Sequence, residues 1–290
     1  MRSLLLPGTF NAARMICLVV VGLTSCGIND NLEDLNAPSN VMKVTFFDVD
    51  QGDACLFEMP NGAVVLIDGG DDGYGDAVIN PALDERKITV IDLLVLTHPH
   101  ADHCGGLDEV LEHVGVREIW ENGETLGTVA YNRFASARDA VGADILHPVE
   151  GTFVDMGAVH ILVIGAQQEY EGENNDSLVL KISYGDVDFL MTGDIEAEEQ
   201  LDEVDDYKTA LNSEVLKVPH HGSRNLCLDF TTAVCPQCAI FSSGEGNEYG
   251  HPHAETLEIY KNLGATLYRT DLLGDISAWT NGSALEVGNF

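Results

Sequence analysis

The chain has 290 residues and carries 14 Lys+Arg against 48 Asp+Glu, a formal net charge of -34 at pH 7. With 45% hydrophobic and 7% aromatic residues it has the material for one or two folded domains, which excludes global disorder. So acidic a surface repels polyanions, lacks the general basic face by which nucleic-acid binders displace counterions, and weighs against a nuclease.

The chain opens with Arg2 and Arg14, an apolar run from Met15 to Leu23, and small residues up to Cys26. The run is too short to span a bilayer and reads as an export signal over 1–26. "LTSC" (Leu23 to Cys26) resembles the bacterial lipoprotein signal, in which the cysteine is lipidated and becomes the first mature residue. The alternative is an ordinary signal with an incidental cysteine. The lipoprotein reading implies an exported protein held on the bacterial cell envelope, its contact with the membrane made through lipidated Cys26. Residues 27–40 then read as a polar tether, and 41–290 as one domain without an internal linker.

Within that domain "VMKVTFFDV" and "ACLFEM" are strands separated by the turn "DQGD", and "GAVVLIDGG" is a third strand ending at Asp68. "VIDLLVLTHPH" is an almost unbroken apolar strand of the kind buried on both faces. A helix follows, with Leu107, Val110, Leu111 and Val114 on one face, ending at Gly115. "VHILVIG", "SLVLKISYG" and "VDFLMTGD" are strands, "AEEQLDEVDDY" an acidic helix, and "SEVLKVPHHGS" a strand running into a polar loop. "CAIFSSG" and "ATLYRTD" are strands with the helix "AETLEIYKNLG" between them. Strands with two internal faces and helices outside predict an α/β fold, a four-layer αββα sandwich. Cys227, Cys235 and Cys238 give three local thiols where zinc normally takes four ligands, and read as a disulfide or as free thiols.

The densest chemistry is "THPHADHCGG", Thr97 to Gly106. His98 and His100 are two apart after a strand, so an extended backbone turns both rings to the same side. Two imidazoles then face one metal, and Asp102 with His103 offer a carboxylate and an imidazole to a second. Asp194 ends another strand, and His220 and His221 end a third. Carboxylates and imidazoles at successive strand ends converge on one sheet edge.

In order along the chain, "FFDVDQGDA", "VVLIDGG", "LTHPHADHCGGL", "ENNDSLVLKI", "FLMTGDIEAEE", "VLKVPHHGS" and "YGHPH" resemble the hydrolase domain of ComEC-type competence proteins, a branch of the metallo-β-lactamase superfamily. The resemblance implies a dinuclear hydrolase. His98 and His100 would hold one divalent cation, Asp102 and His103 the other, with Asp194 between them and one of His220 and His221, by the superfamily's strand-Pro-x-His-Gly spacing His221, completing the second site. Asp68 would orient a histidine ligand, and Asp102, His220 and Asn175 would serve the reaction. The superfamily's further histidine is replaced by "ENNDS" (Glu173 to Ser177), as in the ComEC-type branch, which weakens the first site and favours Mn²⁺ beside Zn²⁺. Asp50 stands where that branch usually has glycine. Cys104 reads as packing, with an adventitious ligand as the alternative, and His251 and His253 as rim groups or an exposed turn.

The implied reaction is hydrolysis of a phosphodiester, DNA included, by a hydroxide made at two metal ions, Zn or Mn. A lactone, lactam or small phosphoester is the alternative substrate, and an inactive binding protein the alternative function. Lys181, Lys217, Arg224 and Arg269 are the candidates for a basic cluster at the cleft.

Overall fold

A computed structural model of the protein describes residues 40–166 and 174–290. The export signal expected over 1–26, Cys26 included, and all of the tether but Asn40 lie outside the described residues.

The first sheet is built from β1 (Met42–Phe46), β2 (Cys55–Glu58), β3 (Val64–Ile67), β4 (Val90–Leu96), β5 (Gly115–Glu121) and β6 (Asp144–Leu146). The second takes β7 (Phe153–Met156), β8 (Val159–Gly165), β9 (Val179–Tyr184), β10 (Val187–Met191), β11 (Val215–Lys217), β12 (Cys238–Phe241) and β13 (Thr266–Arg269). The chain then returns to the first sheet with β14 (Ile276–Thr280) and β15 (Leu285–Gly288). The strand orders are β15-β14-β1-β2-β3-β4-β5-β6 and β13-β12-β11-β10-β9-β8-β7.

Alternation along the strands, broken on β4 between Ile91 and Leu93, assembles three separate cores. On β4, Leu93 and Val95 face the second sheet, while Ile91, Leu94 and Leu96 face the other way. On β10, Val187, Phe189 and Met191 answer them across the interface, and Leu190 points outward. Phe57 and Phe189 meet edge-on between the sheets, 5.7 Å apart. A strand buried on both faces has no polar side to show, which is why these segments read as continuous apolar runs.

Outside the first sheet lie α1 (Asn80–Glu85), α2 (Ala101–Cys104), α3 (Leu107–His113) and α4 (Val129–Val141). They contribute Leu83, Cys104, Leu107, Val110, Leu111 and Phe134 to the second core. Outside the second sheet, α5 (Ala197–Tyr207), α6 (Leu228–Val234) and α7 (Ala254–Asn262) precede a short α8 (Thr270–Leu273). Phe230, Val234 and Tyr260 seal the third core. The layers are therefore helix, sheet, sheet, helix, as the sequence predicts.

The expected end of a helix at Gly115 is also the first residue of β5. The strands β6, β7, β14 and β15, and the helix α4, were not legible as apolar patterns. Among the described residues no helix is long and apolar enough to cross a membrane.

Strand direction places the site. β3, β4 and β5 are parallel, as are β10 to β13, so within each run the carboxyl ends open along one edge. The Leu178 N–H donates to the Thr97 carbonyl at 2.9 Å, tying the start of β9 to the end of β4 across the two sheets.

Candidate metal centre

Asp68 leaves β3 in a left-handed conformation, φ 58°, that a short polar side chain tolerates. The turn buries its carboxylate beneath the histidine loop. Its Oδ1 accepts the Thr97 N–H at 2.8 Å, and its Oδ2 accepts the Thr97 hydroxyl at 2.8 Å and the His103 Nδ1–H at 2.9 Å. Burial pushes this carboxyl above its ordinary value. With Nδ1 committed as a donor, the His103 Nε2 presents a lone pair.

His221 is set in the same way. Its Nδ1 donates to the Ser242 carbonyl at 2.9 Å, and its Nε2 lies 3.2 Å from Asp194 Oδ2 and 3.3 Å from Asp102 Oδ2. His103 Nε2 lies 3.4 Å from Asp194 Oδ1. Asp102, His103, Asp194 and His221 each aim one ligand atom at a common point, all four within 4.8 Å of one another. The His103 Nε2, the His221 Nε2 and Asp194 Oδ1 are buried and have no hydrogen-bond partner among the described residues. Orphaned buried polar atoms cost about 1–3 kcal/mol each. Three of them converging, with the far ring nitrogens anchored, fit a divalent cation held by nitrogen and carboxylate oxygen.

The electrostatics agree with that geometry. Burial opposes charge on His103, yet the carboxylates of Asp194, Asp68 and Asp102 outweigh it and hold the ring well above its ordinary range. Burial resists protonation of His221 too, and Asp194 and Asp53 overcome it. Burial would raise Asp194, but the imidazoles of His221 and His103 pull it well below the usual carboxylate range. A cation would supply the same positive charge without protons.

His98 and His100 form the neighbouring position. His98 Nε2 lies 3.1 Å from His100 Nδ1, close to the spacing of two nitrogens that share one cation at about 2.1 Å. The Ser177 hydroxyl donates to the Asn174 carbonyl, which leaves its oxygen to accept from His98 Nδ1 at 3.3 Å. Burial, followed by the charge on His103, keeps His98 well below its ordinary value, the neutral form that ligates. The rings of His98 and His103 stand 4.1 Å apart, so the two positions are contiguous.

His220 and His221 both have left-handed backbones, φ 48° and 52°, a strain that concentrates at functional sites. The kink sends His221 inward and leaves the His220 side chain 23% exposed. His220 Nε2 is 3.9 Å from Asp194 Oδ2, and its Nδ1 is 3.2 Å from Glu196 Oε1. Asn174, not Asn175, lines the cleft; the Asn175 Oδ1 instead accepts the Glu196 N–H at 2.7 Å, pinning the entry to α5. His251 lines the cleft as well, whereas His253 accepts the Arg224 N–H at 3.1 Å. Burial and then the charge on His221 push His251 down to about 4.

Two residues of the site escaped the sequence reading in this role. Asp53 and Lys217 form a buried ion pair under the ligands; Lys217 Nζ also lies 3.6 Å from Asp194 Oδ1 and donates to the Gly193 carbonyl at 3.2 Å. Asp53 Oδ1 is 3.4 Å from His221 Nδ1. Asp53, Asp68 and His103 also bring ligand atoms within 4.8 Å of one another, but Lys217 already balances that group. The visible signal was a charged residue inside each of two apolar segments, "DQGDACLF" and "EVLKVP". Gly52 makes the first turn possible, since a Cβ there would sit 2.4 Å from the Asp102 carbonyl oxygen. Asp50 has φ 57°, a conformation that suits glycine.

The four candidates for a basic cluster do not gather around the cleft. Lys217 is below it, Lys181 pairs with Asp188, Arg269 pairs with Asp271, and Arg224 is exposed. Cys104 is buried in the helix-side core with its thiol pushed up to about 12, chiefly by burial, which makes it a packing residue. Cys227, Cys235 and Cys238 are free thiols.

The family profile described as "Metallo-beta-lactamase superfamily" matches residues 47–234. The chain is 28% identical over 277 residues to ComE operon protein 3 of Bacillus subtilis, covering 89% of this chain and 36% of that protein. It is 30% identical over 244 residues to the competence protein ComA of Neisseria gonorrhoeae, covering 82% of this chain and 32% of that protein. The chain thus spans about a third of the length of these curated relatives. Among solved structures, the metallo-beta-lactamase fold protein YhfI of Bacillus subtilis superposes with a TM-score of 0.54 at 10% identity, over 85% of this chain and 100% of that one, a likeness of fold alone.

Proposed function

Because the chain belongs to the metallo-β-lactamase superfamily, we propose that it is a metal-dependent hydrolase acting on phosphodiester bonds through a dinuclear centre. The observation that carries this reading is the convergence of His103 Nε2, His221 Nε2 and Asp194 Oδ1, all buried and without hydrogen-bond partners, on one point in an open cleft. Asp102, His103, Asp194 and His221 would hold one cation, and His98 and His100 the other, with Zn²⁺ or Mn²⁺ matching the nitrogen and oxygen donors. Bound there, such cations lower the pKa of water and polarise a phosphoryl oxygen.

The chain's own groups do the rest. Asp68 fixes the His103 tautomer, and Glu196 sets His220 at the cleft wall, facing a phosphoryl or leaving-group oxygen. The Asn174 side chain, 3.3 Å from Glu196 Oε1 through its nitrogen, completes that wall. A lactone or lactam hydrolase is the second reading, favoured by the net charge of -34.

A substrate panel on protein loaded with Mn²⁺ or Zn²⁺ decides between them. Hydrolysis of bis-p-nitrophenyl phosphate above an Asp194→Ala blank is expected. No turnover of it beside clear turnover of a lactone or β-lactam sinks the phosphodiesterase reading. Export with lipidation of Cys26 remains part of the proposal, and an unmodified Cys26 terminus by mass spectrometry removes the anchor.

A further inference from the structure

The loop 244–253, between β12 and α7, is rigidly built and carries two rings into the cleft. Asn247 holds it from within: its Nδ2 donates to the carbonyls of Gly244, at 2.9 Å, and His251, at 2.5 Å, and its Oδ1 accepts the His251 N–H at 3.0 Å. Tyr249 then stacks on His251, ring centroids 5.8 Å apart and planes 24° from parallel. The His220 and His253 rings meet His251 nearly edge-on, at 5.4 and 4.9 Å, and fix its plane. Tyr249 is nevertheless 59% exposed, a large aromatic surface beside the metal ligands.

The same cleft, about 350 Å³, is lined by Tyr249, His251, Asp102 and Asp194, with Leu126 and Thr128 from the segment before α4. Among the described residues its lining contains no lysine or arginine. The exposed Glu245 and Glu248 precede Tyr249 on its own loop. A long strand needs cations along its path to neutralise successive phosphates. This cleft offers positive charge only where cations would sit, and beside that point one free aromatic face.

Resting on the phosphodiesterase reading, we infer that Tyr249, backed by His251, seats one flat ring of the substrate, so that the cleft takes a compact, nucleotide-sized phosphodiester rather than a long polynucleotide. The Leu126 side chain gives the ring an apolar neighbour, and the volume is that of a small-ligand site. Recognition is by stacking, which tolerates different bases, and a single phosphate is read at the metal centre.

The test is binding of 2-aminopurine riboside 5′-monophosphate to the metal-loaded protein, read by the quenching that accompanies stacking. Wild type and Tyr249→Phe should quench the fluorophore, while Tyr249→Ala should bind about ten-fold more weakly. Inorganic phosphate, measured by calorimetry, should bind Tyr249→Ala as it binds wild type, showing that the centre is intact. Affinity for the nucleotide should fall only shallowly with salt, as for one phosphate. Equal binding of the nucleotide by Tyr249→Ala overturns the inference. So does a single strand of about 20 nucleotides that binds more than about ten-fold tighter than the nucleotide, with a steep salt slope. Turnover of bis-p-nitrophenyl phosphate without Tyr249-dependent quenching sinks the ring seat alone; quenching without turnover keeps the seat and sinks the phosphodiesterase reading.

Discussion

Lys217 is a buried cation beneath the candidate metal centre. It is 2% exposed and faces two carboxylates, Asp53 and Asp194. Burial alone would lower its pKa, but Asp53 and Asp194 more than offset this and hold it charged. Burial would also raise Asp53, and Lys217 reverses that. Lys217→Met keeps the volume but leaves Asp53 buried without its partner. The expected cost is about 3–5 kcal/mol in urea unfolding, much of it recovered in the Lys217→Met/Asp53→Asn double variant. A loss within experimental error of zero for Lys217→Met, or strict additivity of the two changes, would show that the pair does not act as a unit. In the sequence Lys217 was only one candidate for a basic cluster, because burial of a charge is a property of the assembled sheets and no local pattern announces it.

At the scale of elements, α5 carries a second strained feature. Glu199 and Glu203 are one turn apart, both buried, and pack over Gly165 at the end of β8, where a Cβ would meet Glu203 Oε1 at 2.4 Å. Burial, then repulsion from Glu199, pushes Glu203 up from 4.5 to about 9. A carboxyl with a raised folded pKa binds its proton more tightly in the native state. Stability is therefore full below about 4.5 and declines as pH rises towards about 9, by up to about 1.4 kcal/mol per pH unit. Glu203→Gln should flatten that decline, so that its advantage over wild type in thermal unfolding grows from pH 5 to pH 8. A constant difference across that range would show that Glu203 is already ionised in the folded protein. The acidic helix itself was legible from its sequence, but this burial was not, since Glu199, Gln200 and Glu203 are buried while the apolar Leu201 is exposed.

The same contrast runs through the other elements. The central strands β4, β9 and β10 were readable because apolar residues pack on both of their faces and outnumber the polar positions Asp92, Lys181, Ser183 and Asp188. Edge strands such as β6 and β7, with exposed positions alternating through Asp144 and Asp155, carry no such signal. β5 was hidden behind Arg117 and Glu118, and α4 by its polar composition. The histidine loop was legible because its ligands are contiguous in sequence. The roles of Asp53 and of Asn174 against Asn175 depend on where separate turns meet, and only the structure places them.

Across the whole molecule, the centre joins the two sheets. His98, His100, Asp102 and His103 follow β4 of the first sheet, whereas Asp194 and His221 follow β10 and β11 of the second. A cation held by both sets would clamp the two sheets together, and metal binding would then be linked to global stability. The net charge of -34 would repel polyanionic ligands from such a centre. Native mass spectrometry of the chain after loading with Zn²⁺ or Mn²⁺ tests the centre most directly. Two ions per wild-type chain are expected, with one lost in His98→Ala/His100→Ala, one lost in His221→Ala, and tight binding abolished in Asp194→Ala. A wild-type chain that takes up no metal, or an Asp194→Ala protein that keeps its full complement, would contradict the account.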